Sequence, residues 1–283
     1  MPKRAVSGAI GWGAGRTLPR GLRRVMLSRF AAAYGIDVDE AEKPLEDYAG
    51  FDDFFTRRLK PGARPIAAEA DALVSPADGV VVECGLAADG KLIQAKGTLF
   101  SLSELLFDEE AATRLTGGAY VITYLSPKDY HRVHSPVAGR VIGWRHVPGA
   151  LFSVSAKSVA GEPGLFVRNE RLVTLIEMAH GGLCAVVMVA AVGVGHVTAS
   201  YDPEVATHHR QFLRAGVSHK RYDQPRPIGR GEELGIFHLG STTIAVFEPG
   251  CGTLSPFSSG ASMKMGMGIG RVLSAAPSAT ARG

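Results

Sequence analysis

The chain has no paired cysteines: Cys84, Cys184 and Cys251 stand far apart and form no CxxC motif. Three scattered thiols complete no disulfide framework, so a reducing compartment is the simpler expectation. Long apolar runs are also missing. The longest is 183–195, LCAVVMVAAVGVG, short of the roughly 20 residues that a membrane-crossing helix needs. Its valines and closing glycines fit a buried strand. No apolar leader with a small-residue cleavage site opens the chain, so no signal peptide is expected. No 20–50-residue repeat is visible. The glycine-rich stretches GWGAG (11–15) and GMGIG (266–270) lack the GxGxxG spacing of a nucleotide fingerprint. His208 and His209 have no Cys or acidic partner at ligand spacing, and no metal is expected. Residues 1–34 contain no acidic side chain at all.

What is present reads as a globular protein. Of 283 residues, 46% are hydrophobic and 20% charged, enough for a substantial core. The 35 glycines favour a turn-dense β architecture over a helical bundle. The net charge of +4 is too small to point to nucleic acid, and none is expected as a partner. Its distribution says more. Lys3, Arg4, Arg16, Arg20, Arg23, Arg24 and Arg29 precede an acidic stretch from Asp37 to Asp53. Leu22, Val25, Met26, Phe30 and Ala33 recur at helical spacing and form one face, with Arg20, Arg23 and Arg24 largely away from it and Arg29 inside it. Such a basic amphipathic helix either lies on an anionic membrane surface or packs on the protein's own core with a solvated basic face; both readings stand.

Beyond Pro61, short runs rich in Val, Ile and aromatics alternate with turns. Strands are expected at 72–74, 79–83, 120–125, 140–147, 172–178, 183–197 and 243–247, and short helices at 102–107 and 108–115. The tail 275–283 is small and polar, and fraying is expected there. The expectation is an α+β fold: a mainly β sandwich or barrel-like core with amphipathic N-terminal helices. Residues 1–55 form a helical membrane-associating segment and residues 56–283 a catalytic β-rich domain.

Three segments carry candidate chemistry. Ser75-Pro76-Ala77-Asp78-Gly79 is a turn with a carboxylate at its tip; as a bland alternative, Asp-Gly turns are common. In the Pro-bounded segment 126–136, His131 and His134 stand three apart and can serve as acid and base near neutral pH, or be satisfied structural histidines. Leu239-Gly240-Ser241-Thr242 runs directly into an apolar strand, and alone is a Gly-Ser turn.

In order, SPADG, YHRVHSP, LFSV (151–154), RNER (168–171) and LGST (239–242) resemble the phosphatidylserine decarboxylase family. The resemblance runs from Phe54-Phe55-Thr56-Arg57-Arg58 to Gly250, most of the chain, and LGST matches the family's self-cleavage motif residue for residue. Arg230 stands where the family pattern carries Lys. The resemblance implies a proenzyme cut between Gly240 and Ser241 into a large chain, 1–240, and a small chain, 241–283, held together noncovalently.

The Ser241 hydroxyl attacks the Gly240 carbonyl through a five-membered ring, an intramolecular step whose entropy is already covered. Gly240 leaves the attack unobstructed. By resemblance His134 is the base and Asp78 orients it, a serine–histidine–aspartate logic used once on the chain itself. The ester then eliminates, and Ser241 ends as a pyruvoyl group, the expected covalent cofactor. Its ketone condenses with the substrate amine and accepts the electrons left by carbon dioxide. His131 is the candidate proton donor to the substrate.

The expected partners are phosphatidylserine, an anionic membrane surface and, as the family suggests, a second copy of the chain. The expected location is peripheral, on the cytoplasmic face of the cell membrane. Three other readings remain open at this point. One is a serine hydrolase built on Ser241, His134 and Asp78, for which the GxSxG elbow is missing. Another is a non-enzymatic lipid- or partner-binding β domain. The last is a pyruvoyl decarboxylase acting on another amino-acid derivative.

Overall fold

The computed structural model describes residues 19–95, 98–191, 196–207, 216–238 and 241–273. Two helices come first, α1 at Arg20–Tyr34 and α2 at Phe51–Phe55. Gly35 ends α1 in the left-handed conformation, φ 68°, where a side chain would be strained. Between the helices the chain is loop apart from a 3₁₀ turn at Leu45–Asp47, so the segment is less helical than its sequence implied.

The packed side of α1 differs from the expected stripe. Arg23, Leu27 and Ala31 are buried, and Leu27 and Ala31 pack with Ile36, Tyr48 and Phe54. Leu22 and Val25 are 59% and 49% exposed. Arg23, expected on the outer side, turns inward because the loop offers it acceptors: its guanidinium donates to the carbonyls of Ala49 at 3.1 Å and Glu46 at 3.2 Å. A buried cation whose donors meet backbone carbonyls is tolerated where an unpaired one is not.

Strands β1 (Ala72–Val74), β2 (Gly79–Leu86), β3 (Lys91–Ala95) and β4 (Thr98–Ser101) follow. Helices α3 (Leu102–Leu106) and α4 (Glu109–Leu115) come next, capped by the Ser101 hydroxyl and the Asp108 carboxylate. Then come β5 (Ala119–Leu125), β6 (Arg132–His134) and β7 (Gly139–Val147). Helices α5 (Ala156–Gly161) and α6 (Leu165–Arg168) precede β8 (Arg171–Met178), β9 (Leu183–Ala190) and β10 (Val197–Ala199). The chain continues with β11 (Ser218–Ile228), β12 (Glu233–Phe237) and β13 (Ser241–Phe247). The described part closes with β14 (Gly252–Leu254), β15 (Ser262–Met263) and β16 (Gly268–Val272).

An eight-stranded antiparallel sheet, β11-β7-β8-β9-β13-β5-β2-β15, is the frame. Side chains alternate between its faces. On one face Ile122, Val187 and Ile244 pack with Leu102, Leu105 and Phe166 of the short helices and with Leu92 and Phe100 of the β3–β4 hairpin. On the other, Val121, Leu125, Met188 and Ala245 meet Val133, Val197, Leu234 and Phe237 of the small sheet β10-β12-β6, and Leu73 and Ile269 of β1-β16-β14. With both faces covered, all eight residues of β9 are buried. That double cover explains why the first eight residues of the longest apolar run form a strand, and among the described residues no helix is long and apolar enough to cross a membrane. The fold is α+β with a mainly β, layered core, as expected from the sequence.

The motif RNER staples this frame. Asn169 donates to the carbonyls of Phe152 and Ala190 and accepts from Phe152 N–H. The buried guanidinium of Arg171 donates to the carbonyls of Glu104, Leu105, Val167 and Asn169, tying α3 and the end of α6 to the sheet. Arg230 likewise donates to the carbonyls of Ala67, Glu69, Ala70 and Ala72, a set of contacts that only a forked guanidinium can make.

Candidate functional site

Ser241 opens β13, the strand set between β9 and β5, where it pairs with Ala190 and Leu125. Alternation along β13 puts Ser241 on the same face as Ala245 and Phe247, the face covered by the β10-β12-β6 sheet. The residue is fully buried, and its hydroxyl has no hydrogen-bond partner among the described residues. The same holds for Thr242. Buried hydroxyls are normally paired; among the described residues those of Ser241, Thr242 and Thr243 at the head of this strand have no hydrogen-bond partner.

The histidines reach this place along the strand register. Leu125 pairs with Ser241, and the His131 carbonyl accepts from Phe237 N–H at 3.0 Å. Residues 126–130 and 238–240 are therefore bracketed by the same two contacts. A tight turn, held by Ser126 N–H and hydroxyl on the Asp129 carboxylate at 2.8 and 2.6 Å, delivers Tyr130 and His131. His131 lies fully buried, its ring packed against Phe55 with centroids 4.0 Å apart and planes tilted by 44°. Its Nδ1–H donates to the Asp129 carbonyl at 2.8 Å, which leaves the Nε2 lone pair free; Nε2 has no partner among the described residues. Burial, with the nearby Arg57 charge, pushes its pKa down to about 3 and holds the ring neutral.

His134 closes β6 and pairs in register with Glu233. Its Nδ1–H donates to the Gly231 carbonyl at 2.8 Å, and Nε2 accepts from the Tyr130 hydroxyl at 3.2 Å. Burial lowers its pKa too. Tyr130, itself pushed up to about 12 by burial, stays a donor.

Asp78 does not hydrogen-bond to His134. Its carboxylate accepts from Arg64 at 2.6–3.0 Å, from Lys264 at 3.2 Å and from Met265 N–H at 2.8 Å. The expected orienting role passes to the Gly231 carbonyl. Gly79 fixes the Asp78 turn: its φ is +150°, and a Cβ there would stand 2.2 Å from the Tyr124 carbonyl oxygen. Gly240 and Leu239 lie outside the described residues, as do His208, His209, the glycine stretch at 11–15, the basic residues Lys3, Arg4 and Arg16, and the tail 275–283.

Sequence reasoning missed three neighbours of the histidines. Tyr130 caps His134, Phe55 packs against His131, and Arg57 sits beside His131. All three stood inside quoted motifs, but their spacing from the histidines carries no signal.

A buried serine heads a central strand of this α+β protein, and the segment that leaves the neighbouring strand β5 carries two buried histidines. The chain belongs to the phosphatidylserine decarboxylase family, a family of carboxy-lyases, whose model matches residues 51–271. It is 45% identical over 256 residues to a protein of Anaeromyxobacter sp. (strain K), covering 90% of this chain and 89% of that one. A Myxococcus xanthus protein is 43% identical, covering 88% and 87%. One from Saccharophagus degradans is 42% identical, covering 88% and 86%. All three are named phosphatidylserine decarboxylase proenzyme.

Proposed function

We propose that this chain decarboxylates phosphatidylserine to phosphatidylethanolamine with a pyruvoyl group that it makes from its own Ser241. The observation that carries the reading is the Ser241 hydroxyl, fully buried and unpartnered among the described residues at the start of β13. The neutral imidazoles support it as proton acceptors.

In the maturation step the Ser241 hydroxyl attacks the Gly240 carbonyl and the Gly240–Ser241 peptide bond becomes an ester. His134 Nε2 takes the hydroxyl proton and passes it to the released Ser241 nitrogen. Loss of the Cα proton then expels the Gly240 carboxylate and leaves dehydroalanine. Water converts that to a pyruvoyl terminus and ammonia. The Asp78 charge favours protonated His134 through space, without a hydrogen bond.

The pyruvoyl group supplies an electron sink for the bond to carbon dioxide. Around it, His131 Nε2 is the open proton acceptor, and the same atom, once protonated, is the donor to the carbon that has lost carbon dioxide. Residues 1–240 and 241–283 stay together after cleavage. Residues 1–55 form the membrane-associating part and 56–283 the catalytic domain, attached peripherally at the cytoplasmic face. The outward side of α1, with Leu22 and Val25 exposed beside Arg20, Arg24 and Arg29, supports that attachment.

Intact mass spectrometry of wild type beside Ser241→Ala tests the reading. Two wild-type chains are expected, with the small one lighter than a serine-started peptide by one ammonia, and an uncut variant. An uncut wild-type chain, even with anionic vesicles, refutes it.

A further inference from the structure

Arg57 follows Phe54 and Phe55 at the end of α2, in a segment that the catalytic reading leaves unused. It is 4% exposed, and its guanidinium lies over the Phe54 ring with 5.2 Å to the centroid. Only one arm is engaged: Nη2 donates to the Lys128 carbonyl at 3.0 Å. Nε and Nη1 are buried and have no partner among the described residues. No salt bridge to Arg57 occurs among the described residues, whereas Arg64, Arg132 and Arg145, all partly buried, each pair with a carboxylate.

A buried cation with two donors unused is costly and is not kept for stability. Its place is specific. The Lys128 carbonyl that anchors it belongs to the same turn that delivers His131, and Phe55 covers the His131 ring. His131 Nε2 is itself unpartnered. An unpartnered imidazole nitrogen thus lies near a guanidinium with two unpartnered N–H groups; Nε–H and Nη1–H point away from different edges of the guanidinium, so one of them is available for a single charge-assisted hydrogen bond to an anion's oxygen.

We propose that Arg57 binds the carboxylate of the phosphatidylserine headgroup. The inference rests on the function proposed above. Phosphatidylserine offers two anions, the carboxylate and the phosphodiester. The carboxylate sits on the reacting carbon, which must come close to His131. The phosphodiester carries the acyl-glycerol and has to stay nearer the membrane than a residue this deeply buried. Contact with the carboxylate is made in the bound substrate and fades as carbon dioxide leaves neutral. It therefore serves binding more than rate.

The test compares wild type, Arg57→Gln and Arg57→Lys after each has cut itself, which also reports that the fold is intact. Two quantities are measured in mixed micelles. One is KM and kcat for phosphatidylserine. The other is half-saturation for cyanoborohydride-fixed attachment of phosphatidylethanolamine to the small chain, read by mass; this lipid keeps the phosphodiester and lacks the carboxylate. Arg57→Gln should raise KM for phosphatidylserine by about ten- to a hundredfold, change kcat much less, and leave the phosphatidylethanolamine half-saturation unchanged. Arg57→Lys should fall between.

Equal weakening of both lipids would assign Arg57 to the phosphodiester and overturn the proposal, as would an unchanged KM. If neither variant matures, wild type alone decides. Phosphatidylserine must then bind at least about tenfold tighter than its carboxyl methyl ester and phosphatidylethanolamine, and equal half-saturations refute the proposal. Matured wild type inactive on phosphatidylserine sinks the proposed function itself, a distinct outcome.

Discussion

His131 shows at the scale of one residue how burial writes a pH dependence. Its pKa falls from 6.5 to about 3 on folding because burial disfavours the imidazolium. Above pH 6.5 both folded and unfolded chains hold it neutral. Below that, the unfolded chain takes up a proton that the folded chain refuses until about pH 3, so stability falls as pH falls through this window. The slope from one such group is at most about 1.4 kcal/mol per pH unit. His134, lowered by burial as well, adds in the same direction. In a Ser241→Ala background, where cleavage does not intervene, His131→Gln should flatten the urea-denaturation stability profile between pH 6.5 and 4. Identical slopes with and without His131 would show that it protonates as readily folded as unfolded. The residues of the candidate site, Asp78, His131, His134 and Ser241, stood out in the sequence. Their bonding was not. Asp78 looked like the partner of His134, but Arg64, Lys264 and Met265 saturate it, and those contacts join residues 14 to 187 positions apart. Arg57 was invisible for the same reason, since its anchor is 71 residues away.

At the scale of elements, apolar runs found the strands buried on both faces, and also β1 and the start of the half-exposed β2, and missed the more polar or shorter strands. β5, β7, β8, β9 and β13 were readable because valine and isoleucine dominate them. β11, Ser218–Ile228, reads as loop, with polar residues and two prolines. It is a strand because it lies at the sheet edge, where a proline lacking N–H is tolerated. In α1 the period was right and the packed face is turned partway round the helix: Met26 and Phe30 of the expected stripe still pack on the core, but the loop carbonyls that draw Arg23 inward are not encoded in helical spacing. The turn leaves Leu22 and Val25 facing outward among arginines, a face suited to anionic lipid. Wild type should float with anionic vesicles at low salt. Leu22→Asp with Val25→Asp should weaken binding about tenfold or more, with self-cleavage unchanged, because neither side chain packs inside. High salt should weaken the wild type as well. Wild-type protein that stays with the soluble fraction at low salt removes α1 as the anchor.

The proposed cleavage makes a demand on the whole molecule. A cut before Ser241 leaves β13 to β16 on the small chain, and these strands are spread through the structure. Seven residues of β13 pair with β9 and six with β5, all seven of its residues are buried, and β16 pairs with β1 while β15 pairs with β2. Only the strands around 241 meet at the cut; the remaining ladder hydrogen bonds and both hydrophobic layers belong to contacts that cleavage does not touch. Dissociation would expose Ile244, Val246 and Phe247 along with the inner side of β9, at about 1.5–3 kcal/mol per large side chain. The two chains should therefore co-elute on size exclusion at nanomolar concentration. Their separation in urea should coincide with loss of the β-sheet circular dichroism signal, in one cooperative transition. A small chain that leaves at urea concentrations where the sheet signal is intact would mean that the place of β13 between β5 and β9 is not enough to hold it once the link to β12 is cut.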